Sequence, residues 1–170
     1  RTFTARDTAR EWVALASSAD GTRLLAAVNP GRLYISSDSG VTWNVATALD
    51  RTYSSVASSA DGTKLIGAVN NGNIFTSTNS GATWQTRASV RNWTGVAASA
   101  DGTKMVAVAD DIYLSADSGV TWNPTFQSYT FTAVACSSDG AIIYAAASND
   151  QIFKSDNSGA SWSYLENQRP

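Results

Sequence analysis

The sequence has no histidine, one cysteine, one methionine and three prolines in 170 residues. Without histidine, Ser-His and Cys-His nucleophile systems are excluded, and ordinary catalytic zinc sites are crippled. Cys136 stands alone in an apolar run, so no disulfide can form within the chain and a small buried side chain is its reading. Charge is scarce too. Only 15% of residues are charged, the formal net charge is −2 and the pI is near 4.9, which leaves no basic field of the kind nucleic-acid binders use. The longest apolar run, around Ile142 to Ala147, falls far short of the roughly 20 residues of a membrane-spanning helix. Neither nucleic acid nor membrane is expected as a partner, and a single soluble globular unit is expected for this length. The chain begins at Arg1 without a signal-peptide pattern, which fits a processed, excised or engineered piece of something longer and leaves the compartment open.

What the sequence does contain is a repeat. Trp43, Trp84, Trp122 and Trp162 are spaced by 41, 38 and 40 residues. The pairs Asp20-Gly21, Asp61-Gly62, Asp101-Gly102 and Asp139-Gly140 are spaced by 41, 40 and 38. Two independent markers keep one period, the signature of a repeat architecture. Within the second unit, "SSVASS", "KLIGAVN", "NIFTST" and "TWQTRA" are short apolar or alternating segments bounded by turn residues, too short for ordinary helices. The linkers "ADGT" and "NNG" read as hairpin turns. Four antiparallel strands in about 40 residues describe the blade of a β-propeller, so the predicted fold is all-β with four blades, at about 12–48, 53–88, 93–126 and 131–165. Leu15, Val56, Val96 and Val134 are the expected apolar contacts between blades, on first strands otherwise rich in Ala, Gly and Ser.

Each tryptophan closes an eight-residue peptide: Ser36, Asp38, Gly40 and Trp43; Ser77, Asn79, Gly81 and Trp84; Ser115, Asp117, Gly119 and Trp122; Ser155, Asn157, Gly159 and Trp162. The pattern S-x-D-x-G-x-T-W resembles the Asp-box, or BNR, repeat of sialidase-like propellers, and the match covers essentially the whole chain. The third residue can accept backbone N–H groups across its own turn, the glycine can take positive φ, and the tryptophan can bury its face. Asn serves this purpose as well as Asp but could not replace a catalytic acid, so these are expected to be structural corners. Calcium at Asp38 and Ser36 is the competing reading, disfavoured because Ca²⁺ wants six or more oxygens. No cofactor or metal is expected.

The resemblance to sialidases implies a glycosidase as the rival reading, with an arginine triad, an acid and a Tyr/Glu nucleophile pair. The chain lacks the Arg-Ile-Pro segment of that family, and its only adjacent carboxylates, Asp110 and Asp111, do not face each other across a bond. A non-catalytic scaffold or binding module is therefore the leading expectation. Arg10, Arg51 and Arg91 recur two residues before Trp12, Tyr53 and Trp93, with Tyr129 before Phe131 at the fourth position. These residues share one end of the expected propeller with the loops from Asn29, Asn70, Asp110 and Ser148. Either the aromatics wedge between blades, or guanidinium groups and rings together form a surface for an anionic or glycan ligand. Propellers of the photosystem II assembly-factor type, which the repeat also resembles, present an arginine patch.

Two further expectations concern assembly. Phe3 precedes Trp12 as Trp84 precedes Trp93, so Thr2 to Arg6 reads as a spare fourth strand. Four blades in a ring turn about 90° each and eight about 45°, and the small residues Ala16, Ala57, Ala97 and Ala135 on facing strands favour the larger ring. Self-association of two chains into an eight-bladed propeller is expected.

Overall fold

Sixteen strands form four antiparallel four-stranded sheets, each built from four consecutive strands in chain order. This computed structural model describes residues 9–47, 50–125, 129–148 and 151–165. The first sheet contains β1 (Trp12–Ser17), β2 (Leu24–Val28), β3 (Leu33–Ser36) and β4 (Asn44–Val45). The second contains β5 (Tyr53–Ser58), β6 (Leu65–Val69), β7 (Gly72–Ser77) and β8 (Gln85–Arg91). The third contains β9 (Gly95–Ala98), β10 (Met105–Val108), β11 (Ile112–Ser115) and β12 (Asn123–Pro124). The last contains β13 (Phe131–Cys136), β14 (Ile143–Ala147), β15 (Ile152–Ser155) and β16 (Ser163–Leu165). These are the blades of a β-propeller, with no helix among the described residues. The expected extra strand at 2–6 lies outside the described residues.

Why each strand pairs only with its chain neighbour follows from the turns. Asp20 accepts the Ser18 hydroxyl at 2.6 Å, the Thr22 N–H at 3.0 Å and the Thr22 hydroxyl at 2.8 Å, so the β1–β2 turn closes on its own side chains. Asp61 and Asp101 repeat the arrangement with Ser59, Thr63, Ser99 and Thr103, and Asp139 does so with Ser137 and the Ala141 N–H. In three blades the first strand opens on a bulge just after its aromatic, between Trp12 and Ala14, Tyr53 and Ser55, and Phe131 and Ala133. A bulge re-aims side chains relative to strict alternation.

Three apolar clusters lie between successive blades. Leu25, Ala27 and Leu33 of the first meet Tyr53, Val56, Leu65 and Phe75 of the second. Ile66, Ala68 and Ile74 meet Trp93, Val96 and Tyr113 across the next seam, and Val106, Val108 and Ile112 meet Phe131, Ala145 and Phe153 across the last. Strands β1, β5, β9 and β13 contact one another in that order along the inner edge. Of the four expected inter-blade apolar residues, Val56 and Val96 are buried and Val134 is half-buried, whereas Leu15 is 65% exposed. The reason is positional: Leu15 lies on the face of the first blade that no other blade among the described residues covers.

Candidate functional site

The Trp-ended peptides are self-contained corners. The Ser36 hydroxyl donates to Asp38 Oδ1 at 2.8 Å while its oxygen accepts the Gly40 N–H at 2.8 Å. Asp38 also accepts the Thr42 N–H at 2.9 Å and the Thr42 hydroxyl at 2.6 Å. Ser115 and Asp117 make the same set with Gly119 and Thr121. In the second copy Asn79 Oδ1 accepts from the Ser77 hydroxyl and the Thr83 N–H, and its Nδ2 donates to Thr83 Oγ1 at 2.9 Å. Asn157 does the same with Ser155 and Ser161. The hydroxyl that donates to Asp thus turns to accept from Asn. Trp84, Trp122 and Trp162 donate their indole N–H to the carbonyls of Gly81, Gly119 and Gly159. All four tryptophans are half-buried, less enclosed than their repetition suggests. Among the described residues no cluster of three His, Cys, Asp or Glu could hold a metal ion, and both Asp38 oxygens are already taken by hydroxyl and amide donors.

The hydroxyl and amide donors also set the acidity of the turn carboxylates. The Ser18 hydroxyl leads in lowering Asp20 to about 2, Thr42 does so for Asp38, Ser59 for Asp61 and Thr121 for Asp117. Asp101 and Asp139 are lowered too, chiefly by Ser99 and Ser137. A group whose folded pKa lies below its unfolded value of 3.8 stabilises the fold above that pH, and the contribution is lost as pH falls through about 2. With no histidine to titrate, the melting temperature is expected to be flat between about pH 5 and 8 and to fall below about pH 4. Asp38→Asn should leave the melting temperature at pH 7 close to that of the parent, because the amide rebuilds the corner as at Asn79, and should weaken the acid dependence. Thermal melts across this range check both; a transition near pH 6 would contradict the assignment.

The opposite end of the blades carries the repeated arginines. The Arg10 guanidinium lies 4.5 Å from the ring centroid of Tyr34, Arg51 lies 4.4 Å from Phe75, and Arg91 lies 4.6 Å from Tyr113. At the fourth position Tyr129 takes the place of the arginine and packs on Phe153 with centroids 4.9 Å apart. Arg10 and Arg51, which precede the first strands, cover the third-strand aromatics of the blades they lead into, and Arg91, at the end of β8, covers that of the following blade. The sequence reading had missed these partners, although "LYIS", "IFTS", "IYLS" and "IFKS" show an aromatic at the second position each time. The polar partners differ: Arg10 donates to the Tyr34 hydroxyl at 2.7 Å, and Arg91 pairs with Asp110 at 2.9 Å. Among the described residues Arg51 has no carboxylate partner.

The aromatics that follow the arginines divide sharply. Tyr53, Trp93 and Phe131 are fully buried against the preceding blade, which places them as wedges and removes their faces from the surface. Trp12, with no preceding blade among the described residues, is 37% exposed and rests on Tyr34 and Trp43. The adjacent carboxylates also part. Asp110 faces solvent and accepts from the Tyr113 hydroxyl, whose pKa is pushed up to about 12 by burial and then by Asp110. Asp111 is buried and accepts the Ile112 N–H and the Thr125 hydroxyl.

Beside Arg51 and Arg91 a cleft opens at the rim between neighbouring blades. Arg51, Tyr53, Phe75, Trp84, Thr47 and Thr83 line one of about 270 Å³. Arg91, Trp93, Tyr113, Trp122 and Ser89 line its counterpart of about 230 Å³. The Arg91 Nε in the second is buried without a hydrogen-bond partner, and the buried Tyr53 hydroxyl in the first has the Thr47 hydroxyl beside it, which opposes the rise in its pKa that burial causes. These clefts combine a cation, aromatic side chains and buried polar groups.

No family model and no curated protein matches the chain. Solved structures do. A GH74 enzyme from Niastella koreensis is similar with a TM-score of 0.68 and 20% identity over 89% of this chain and 24% of that one. YCF48 bound to a D1 peptide is similar with a TM-score of 0.64 and 16% identity over 97% of this chain and 57% of that one. The GH74 xyloglucanase from Xanthomonas campestris has a TM-score of 0.67 and 16% identity over 90% and 29%. At this identity the likeness shows the propeller fold alone, and the chain spans from about a quarter to somewhat over half of the length of these proteins.

Proposed function

We propose that the chain is a non-catalytic propeller built of Asp-box repeats, and that it binds an anionic ligand at the arginine-bearing end of its blades. The observation that carries this reading is the Arg51 cleft, where a guanidinium held over Phe75 has no carboxylate partner among the described residues and stands beside the Tyr53 and Thr47 hydroxyls. A planar cation fixed over a ring keeps its N–H edge free for a carboxylate, sulfate or phosphate at little further cost in side-chain entropy. An acidic peptide or a charged glycan has this chemistry. The neighbour solved with a bound peptide supports a peptide-binding role for the fold in general.

The carboxylates support the absence of catalysis. Six of them are spent in turns that hold them anionic, whereas a glycosidase acid must be protonated near neutral pH. Asp50, Asp110 and Asp156 pair with Arg32, Arg91 and Lys154.

Titration calorimetry with a poly-glutamate peptide, compared between low and moderate salt, tests the proposal. Binding is expected to weaken steeply as salt rises. The Arg10→Gln, Arg51→Gln, Arg91→Gln triple variant, which keeps a planar group over each ring, should lose about tenfold or more in affinity. Equal binding by parent and variant would remove the site. The likeness to two GH74 enzymes makes xyloglucan, beside a sialoside panel, the proper substrate control; turnover abolished by changing one carboxylate outside the turns would establish an enzyme instead.

A further inference from the structure

The three seams between blades repeat a backbone hydrogen bond and a glycine-to-stem contact, two of them add a hydroxyl bond to the next blade, and among the described residues the first and last blades present the unmet halves of a fourth seam. Along the rim of the turns, Ala19 N–H donates to Ala60 O, Ala60 N–H to Ala100 O and Ala100 N–H to Ser138 O, each at 2.7 Å. The series leaves Ser138 N–H and Ala19 O without a counterpart among the described residues. At the start of the first strands, the Ser54 hydroxyl donates to Trp93 O at 2.6 Å and the Thr94 hydroxyl to Phe131 O at 2.7 Å, each reaching the next blade. Thr132, the equivalent residue of the last blade, reaches Ala146 O of its own sheet at 3.3 Å.

Packing shows the same incompleteness. Gly62, Gly102 and Gly140 sit against the stems of Arg23, Lys64 and Lys104 of the preceding blade, so close that a Cβ there would come within 2.8 Å of them. Gly21 has nothing within 4 Å of that position. The residue that would face it is Ile142, which stands where Arg23, Lys64 and Lys104 stand in the other blades and is exposed. On the trailing face of the last blade, Tyr144 and Ile152 are 41% and 45% exposed, while their equivalents Leu25, Leu33, Ile66, Ile74, Val106 and Ile112 are buried. On the leading face of the first blade, Leu15 is exposed where Val56 and Val96 are buried.

We propose that a second copy of this chain completes these seams, the first blade of each copy seating on the last blade of the other to close one eight-bladed ring. The leading and trailing faces are unlike, so each fits the other rather than itself, and a two-fold axis supplies both seams at once. Propellers close with about four to eight blades. Among the described residues both faces are open, and a second set of four blades reaches eight, whereas a third would exceed that range.

Light scattering at micromolar concentration is expected to give twice the chain mass of 17.9 kDa. Leu15→Asp and Tyr144→Asp alter side chains that are exposed in the single chain, so each should fold, as circular dichroism verifies, and each should halve the mass. In a Cys136→Ala background, Ala19→Cys with Ser138→Cys should oxidise to a covalent two-chain species that requires both new cysteines, since their backbones are adjacent across the new seam. A parent mass of one chain overturns the proposal. So does a two-chain mass indifferent to both Asp substitutions, a ladder longer than two, or a bridge formed within one chain.

Discussion

Trp93→Ala is expected to lower the unfolding free energy by about 3–5 kcal/mol, the usual range for deleting a large buried aromatic. Trp93 is fully buried between the second and third blades, among Ile66, Ala68 and Ile74 on one side and Val96, Met105 and Ala107 on the other. Its ring meets Tyr113 edge-on at 5.0 Å, and its indole N–H donates to Ser89 O at 3.3 Å in the neighbouring blade. Removing it opens a cavity in a seam walled by two sheets, which cannot collapse without moving one of them. Trp84, which the repeat marks more loudly, is half-buried beside its own turn. Trp84→Ala should therefore cost less, about 2 kcal/mol. Urea melts of the two variants decide the order, and a larger loss at Trp84 would mean that the corners rather than the wedges hold the blades together.

Gly119→Ala is expected to cost about 2–4 kcal/mol, because two independent penalties meet there. The backbone is left-handed at φ +81°, and an added Cβ would lie 2.6 Å from the Thr76 methyl of the preceding blade and 3.2 Å from the Met105 sulfur. The residue before it provides the control. Ser118 also has positive φ, at +60°, without being glycine, so Ser118→Gly should be neutral or slightly stabilising. Opposite signs at adjacent positions would locate the cost in packing as well as in backbone strain. Similar small effects at both would show that the corner can shift away from Thr76.

The electrostatic and packing roles of the repeat were unequally visible in the letters. The period, the four-strand unit and the corner chemistry of Ser36, Asp38 and Gly40 could be read directly, because a hairpin closes through residues a few positions apart. The turn of Ser18, Asp20 and Thr22 is a second corner of the same kind, and its hydroxyl partners stood in the sequence two residues to either side of the aspartate. The fate of Trp12, Tyr53, Trp93 and Phe131 was not legible. They occupy one repeat position, yet three are buried and one is partly exposed.

What the sequence by itself determined is local: strand lengths, turn types, the number of blades and the absence of histidine chemistry. These depend on φ preferences, side-chain to backbone hydrogen bonds and the alternation of apolar residues, all of short range. What only the tertiary structure decided is which repeated residues share surroundings. Arg10, Arg51 and Arg91 look equivalent in the sequence, but Arg91 meets Asp110, Arg10 meets Tyr34, and Arg51 opens on a cleft with no carboxylate partner among the described residues. Leu15 and Val56 look equivalent too, and one is exposed while the other is buried. The physical reason is that burial belongs to a pair of blades and not to one: a repeat encodes both of its faces, and only its place in the stack decides whether each face meets another blade or water.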